Sequence, residues 1–310
     1  MTVPEVCSEI GGGASLCISK VLVTGGSGRL ARALSQARGA HVRGVSRAEL
    51  DITDLGAVQS ALERLRPDVV INAAALSSVE ASDADFERAR AVNAIAPGHI
   101  ARACASLGVP LIHISTDYVF GAEASRPWRE SDPVSPINSY GRLKAEGERN
   151  VLGACDRACV VRVAWLFGDG EDFIASLLRR QAETVKVAHD QIGSPTPIFL
   201  LARRLLALAD RMSLGEAIPS VLHLAGSPPV SRADWVAAAF EALRHAGRRA
   251  PGLVRVPMAE FGSATPRPNY SALDCGLAEK LFGEAIDWRI ATAQPGIFAD
   301  QIGSTQNTST

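Results

Sequence analysis

Hydrophobic residues recur along the first half of the chain in two alternating rhythms. Residues 20–24 (KVLVT) form a short β-branched run that ends in Gly25-Gly26-Ser27-Gly28, and Leu30, Ala33, Leu34 and Ala37 then share one helix face. The same alternation continues with a strand at 41–45, a helix at 55–65 and an unmixed apolar strand at 68–72, as expected where both faces of a strand are covered. A long helix over 84–107, interrupted near Pro97, a strand at 110–115, a helix at 139–151 and a strand at 159–163 complete the series. Strands and helices at this spacing suit right-handed crossovers, so residues 20–165 predict an α/β fold with a doubly wound parallel sheet.

Beyond Trp165 the rhythm loosens. Helices are predicted at 173–182, 198–209 and 232–246, with a strand at 221–224. Pro251, Pro257, Pro266 and Pro268 then break the pattern before short helices around 273–282 and 288–298. Residues 166–300 therefore read as a smaller α/β domain capping one end of the sheet, with later segments free to return to the first domain. Residues 1–19, with their acids and Gly11-Gly12-Gly13, read as a flexible leader, and 301–310 as a flexible tail.

Composition narrows the function classes. An apolar fraction of 47%, a charged fraction of 21% and a net charge of −1 describe a globular protein with no field that would recruit nucleic acid or an anionic membrane. No apolar run approaches the ~20 residues of a membrane span, and the leader lacks the basic start and apolar stretch of a signal peptide. The six cysteines include no Cys-x-x-Cys; Cys155 and Cys159 could share a helix face, but reduced thiols in the cytoplasm are expected. The histidines lack ligand spacing, so no metal site is predicted, and His113 reads as a core residue.

Two motifs carry chemistry. Gly25, Ser27, Gly28, Arg29 and Leu30 lie at the first strand-to-helix junction, where small residues let backbone N–H groups approach a pyrophosphate at the helix N-terminus. This makes the first domain a Rossmann-like dinucleotide-binding unit. The second strand ends in Ser46-Arg47 with no acid before Glu49, which suits a ribose 2′-phosphate and favours NADPH, with NADH left open. Asp51 and Ile52 fall where side chains reach adenine, and Ala73, Ala74 and Ala75 leave room for the dinucleotide to cross. Further on, Tyr140 and Lys144 stand four apart on one helix face, downstream of Ser115-Thr116-Asp117-Tyr118. An ammonium beside a phenol favours the phenolate, and such a phenol exchanges a proton with a ketone or alcohol while Thr116 holds its oxygen.

With these residues in view the chain resembles an extended short-chain dehydrogenase/reductase, and more narrowly the dTDP-4-dehydrorhamnose reductase family. The resemblance runs from Lys20 to about Phe298 and is carried by RPDVVINAA (66–74), VNA (92–94), HISTDYVF (113–120), ESD (130–132), NSYGRLK (138–144), Gly147-Glu148, DQIGSPT (190–196), HLAG (223–226) and Arg267-Pro268. It implies a catalytic trio of Thr116, Tyr140 and Lys144, with Lys144 also on the nicotinamide ribose. It further implies that Asn93 supports the cofactor site, and that Ser115, Asp117, Tyr118, Trp165, Gln191 and Arg267 contact a nucleotide-sugar substrate. The implied reaction is NADPH-dependent reduction at carbon 4 of a 4-keto-6-deoxyhexose, most simply dTDP-4-dehydro-L-rhamnose. Tyr118 stands where sugar-nucleotide dehydratases place an acid directly after Thr-Asp, which argues against dehydration. An NADP-binding regulatory subunit like that of methionine adenosyltransferase, or a reductase of another 4-keto sugar nucleotide, is the alternative. A homodimer is left open, but Ala33 replaces the acidic residue with which some members bind magnesium at a dimer contact.

Overall fold

The computed structural model describes residues 19–294 and 297–298. The chain opens with β1 (Val21–Thr24), α1 (Arg29–Arg38), β2 (Val42–Val45), α2 (Leu55–Leu65) and β3 (Val69–Asn72). After β3 come α3 (Val79–Ala84), α4 (Phe86–Arg90), a π-helical turn (Ala91–Ile95), α5 (Ala96–Leu107), β4 (Leu111–Thr116), α6 (Ser139–Leu152) and β5 (Ala158–Val163). Among the described residues the central sheet has six strands, all parallel, in the order Val221–His223, β5, β4, β3, β1, β2. Its faces are covered by two apolar clusters, one under α1 and one under α2 and α5. This is the doubly wound Rossmann-like fold expected.

The strand 221–223 lies in the second half of the chain yet pairs with β5, so the chain does return to the first sheet. It brings with it α8 (Ile198–Ser213), which packs on α1 and is tied there by a bidentate Arg38–Asp210 pair at 2.7 and 2.6 Å. Ser19, assigned above to a flexible leader, is buried and donates its hydroxyl to Asp210 at 2.6 Å. The rest of the leader and the tail lie outside the described residues.

Other expectations need correction. The long helix 84–107 is three pieces. Asp85, at φ −135°, ends α3 and caps α4 by accepting from the Arg88 N–H. Pro97 sits in the first turn of α5, where a missing N–H does no harm, so the interruption precedes it as the π turn. Cys155 follows α6 and Cys159 is in β5, so they share no helix face; both are buried free thiols. The strands Thr184–Ala188 and Gly252–Val256, not foreseen, pair in parallel. Pro251 and Pro257 flank the second of these strands instead of breaking it.

Trp235, Phe240 and Trp288 centre a second core with Phe167, Ile174 and Val187, built from α7 (Phe173–Arg179), α9 (Arg232–His245) and that strand pair. Among the described residues no helix is long and apolar enough to cross a membrane.

Candidate active site

The glycine turn follows directly from β1. Gly25 has φ +74°, and a Cβ there would lie 2.8 Å from the Ala74 Cα, so only glycine lets this turn close onto the end of β3. Helix α1 opens at Gly28 with no side-chain cap, leaving its first N–H groups for an anion. The cavity in front, about 240 Å³, is lined by Gly25, Ser27, Gly28, Arg47, Asp51, Ile52, Ala73, Ala74 and Ala75, all expected. These residues fit a dinucleotide. Leu50, Thr53, Leu76, Arg88 and Val92 complete the lining and were not foreseen. Of the last three, Leu76 lies in the loop after β3, Arg88 on α4 and Val92 in the π turn, and no local pattern had separated these segments from their neighbours.

Besides Tyr140 and Lys144, four expected cofactor residues act otherwise than by facing this cavity. The Arg29 guanidinium turns away to Asp169, at 2.5 and 2.6 Å, because that carboxylate is its nearest counter-charge. Leu30 is buried beneath α1. Ser46 is engaged by Glu49, whose carboxylate accepts from both its N–H and hydroxyl at 2.8 Å. Asn93 is buried and clamps Leu76, donating to its carbonyl and accepting from its N–H at 2.9 Å each. Its effect on the cavity passes through Leu76.

The second cluster forms where β4 ends against the start of α6. Asn138 caps α6 by accepting from the Gly141 N–H at 2.8 Å, which sets Tyr140 in the first turn. Thr116 accepts from the Tyr118 N–H at 3.2 Å and donates to Asp117 at 3.1 Å. Tyr118 meets Tyr140 edge-on, with ring centroids 6.1 Å apart. Thr116 and Tyr140 meet here, with Lys144 one turn further along α6, and their electrostatics differ from those expected. Burial pushes the Tyr140 phenol above its ordinary value; the Thr116 hydroxyl opposes this and Asp117 and Tyr118 add to it. The lowering expected from Lys144 is absent, because that ammonium is turned to the Ile114 carbonyl at 2.7 Å. Burial lowers Lys144 itself to about 8, against the attraction of Glu148. Asp117 is raised to about 6 by burial despite hydrogen bonds from Ser271, at 2.6 Å, and Thr116.

Of the expected substrate contacts, Ser115 is buried and gives its hydroxyl to Glu148, away from the cleft. Arg267 pairs with Glu80 and Ser263 at the rim. Trp165 and Gln191 meet a residue that the sequence reading missed, Arg232. Its guanidinium lies 3.6 Å over the Trp165 ring and 4.8 Å from that of Phe173, and its Nε donates to Gln191 Oε1 at 3.0 Å. Burial lowers its pKa to about 10, with Tyr118 and Asp117 opposing. The Trp165 Nε1 and Gln191 Nε2 donors are buried without partners among the described residues. Such a cluster of donors without acceptors suits an oxygen-rich anion. A signal was present in the sequence: Arg232 opens α9, where a cation opposes the helix dipole.

Fold and cavity together define an α/β protein of the Rossmann-like, dinucleotide-binding class. The family described as "RmlD substrate binding domain" matches residues 19–295. A dTDP-4-dehydrorhamnose reductase of Mycolicibacterium smegmatis is 40% identical over 283 residues, covering 88% of this chain and 83% of the relative. One from Streptomyces griseus is 42% identical over 262 residues, covering 82% and 84%. Among solved structures, the dTDP-4-dehydrorhamnose reductase of Bacillus anthracis in complex with NADP superposes with a TM-score of 0.82 at 28% identity, covering 92% of this chain and 100% of that one. The protein belongs to the dTDP-4-dehydrorhamnose reductase family.

Proposed function

We propose that this protein reduces a nucleotide-linked 4-keto-6-deoxyhexose at carbon 4 with NADPH, converting dTDP-4-dehydro-L-rhamnose to dTDP-L-rhamnose. The observation that carries the reading is Tyr140, with Thr116 beside it and Lys144 one turn further on, at the same end of the parallel sheet as a glycine cradle that fits a dinucleotide. Gly25, Ser27, Gly28 and the α1 N-terminus would hold the pyrophosphate, and Arg47 the 2′-phosphate. Bound NADPH supplies the hydride.

The rest belongs to the side chains. Thr116 hydrogen-bonds the keto oxygen, and Tyr140 delivers its proton as negative charge develops there. A phenol kept neutral by burial is a competent donor throughout the neutral range. Lys144, one turn beyond Tyr140, provides the cation for the ribose hydroxyls. Arg232, with Gln191 and Trp165, receives the diphosphate, and Arg267 closes on it from the rim. The reaction belongs in the cytoplasm, in keeping with the buried free thiols Cys104, Cys155, Cys159 and Cys275.

Purified protein incubated with NADPH and dTDP-4-dehydro-L-rhamnose should lose NADPH absorbance, with a product two hydrogens heavier by mass spectrometry. Tyr140→Phe should lower kcat by about 10²–10⁴-fold while retaining NADPH binding. No NADPH loss at any substrate concentration would refute the proposal.

A further inference from the structure

Directly behind the reaction centre a carboxylate and a guanidinium are enclosed together. Glu148 lies four residues after Lys144 on α6, so the two occupy one face, and both are buried. They fasten α6 to consecutive residues of β4. Lys144 Nζ donates to the Ile114 carbonyl at 2.7 Å, and the Ser115 hydroxyl donates to Glu148 Oε1 at 2.5 Å. Thr116 is the next residue. Glu148 also accepts from Arg162 of β5, with Nε at 2.9 Å and Nη2 at 2.7 Å. Arg162 is buried, lies 5.0 Å over the Phe120 ring, and sets Nη1 3.3 Å from His223 Nε2. His223 Nδ1 in turn lies 3.1 Å from the Asp274 carbonyl oxygen. The chain Ser115, Glu148, Arg162, His223 thus crosses three neighbouring strands under the site.

Stability alone is a poor reason for this arrangement. Enclosing an ion pair removes both charges from water, and an apolar replacement of similar volume is often as stable or more so. What an apolar replacement would lack is a negative charge one helical turn from Lys144. We propose that Glu148, held by Arg162 and Ser115, is a positioning residue of the reaction, keeping Lys144 protonated and α6 in register with Thr116. This rests on the reading of Lys144 given above.

Among the described residues the groups facing Lys144 are few. From α6 there is Glu148, the carboxylate that favours its charged form. From β4 come the Ile114 carbonyl and His113, whose pKa burial and Lys144 hold well below the ordinary value, so it stays neutral. Arg162 on β5 lies beyond Glu148 and is neutralised by it. Burial already draws Lys144 down to about 8, so its proton is lost just above neutrality. Removing the Glu148 charge disfavours the ammonium further, and activity that needs this ammonium must then fall at lower pH.

The test is the pH profile of kcat/KM for Glu148→Gln and for the double variant Glu148→Gln/Arg162→Met, with melting temperature and NADPH affinity measured over the same range. In Glu148→Gln the alkaline limb should move down by about one pH unit, a roughly tenfold loss on that limb with little change near pH 6. The double variant leaves no unpaired guanidinium, so it carries the test if the single variant does not fold; its limb should move the same way by less. A folded double variant whose limb matches wild type would overturn the inference and leave Glu148 a structural bridge. Failure of the proposed function reads differently: wild type would then oxidise no NADPH with any 4-keto sugar nucleotide. In that case the alkaline loss of NADPH affinity reports Lys144, and an unshifted loss in the variants overturns the inference.

Discussion

Asp117 shows the site working against stability. It is buried beside Thr116, and burial raises its pKa to about 6, above the ordinary 3.8. A raised folded-state pKa means the native state holds the proton more tightly than the unfolded chain. The associated stabilisation is complete below about pH 4 and lost as pH climbs through about 6. Asp117→Asn should therefore melt higher than wild type at pH 7–8, with the gain vanishing near pH 4, while kcat falls because Thr116 loses its charged acceptor. Thermal melts across that pH range check the sign; a gain that grows toward low pH would contradict it. Arg232 makes the complementary case for binding. Its half-buried charge is held by aromatic faces and an amide, and among the described residues by no carboxylate. Arg232→Met should raise the substrate KM about 10–100-fold, the worth of charge-assisted hydrogen bonds at about 1.5–3 kcal/mol, and leave NADPH affinity unchanged. An unchanged KM would remove Arg232 from the diphosphate site.

Elements set how closely these residues meet. The start of α6 is pressed so near the turn after β4 that a Cβ on Gly141 would stand 2.1 Å from the Tyr118 carbonyl oxygen and 3.0 Å from Pro136 Cβ. Backbone cannot yield there without moving Tyr140 from Thr116. Gly141→Ala should cost about 3 kcal/mol, a fall in melting temperature of about 5–10 °C, and should reduce kcat more than it alters NADPH affinity. A fully active Gly141→Ala variant would show that this contact does not position the phenol. The Tyr140–Lys144 spacing was readable because it is local: four residues on one helix face. Strands β1 to β5 were readable within one residue at each end for the same reason, being short apolar runs between turn residues. Arg232 was not, because its partners Trp165, Phe173 and Gln191 arrive from other elements, and nothing near residue 232 names them. The pairing of 184–188 with 252–256 was hidden likewise, since register with a strand more than sixty residues away leaves no local mark. Ser46 and Arg29 had the right residue types in the right turn. Their side chains found nearer partners in Glu49 and Asp169.

At the scale of the molecule the chain is woven, so the site depends on segments far apart in sequence. Asp117 takes the Ser271 hydroxyl, Asn138 donates to the Pro266 carbonyl, and Thr265 donates to Asp83 at 2.6 Å, which joins the 263–271 segment to both walls of the cleft. The sheet is equally dependent. Its outer strand, Val221–His223, and the helix α8 that covers α1 both come after Trp165. Ending the chain at residue 165 would leave β5 with an open edge and strip Ile198, Leu201, Leu205, Leu206 and Leu208 from the core. At about 2 kcal/mol for each buried side chain, the loss is on the order of 10 kcal/mol, comparable with the whole net stability of a domain. The dinucleotide-binding unit therefore extends beyond a boundary at Trp165, although its glycine turn and the Thr116, Tyr140 and Lys144 side chains precede it. A fragment of residues 19–165 should show no cooperative thermal transition by circular dichroism and no NADPH binding, whereas the full chain should show both. A sharp transition in that fragment would mean that α8 and the outer strand decorate the sheet without completing it.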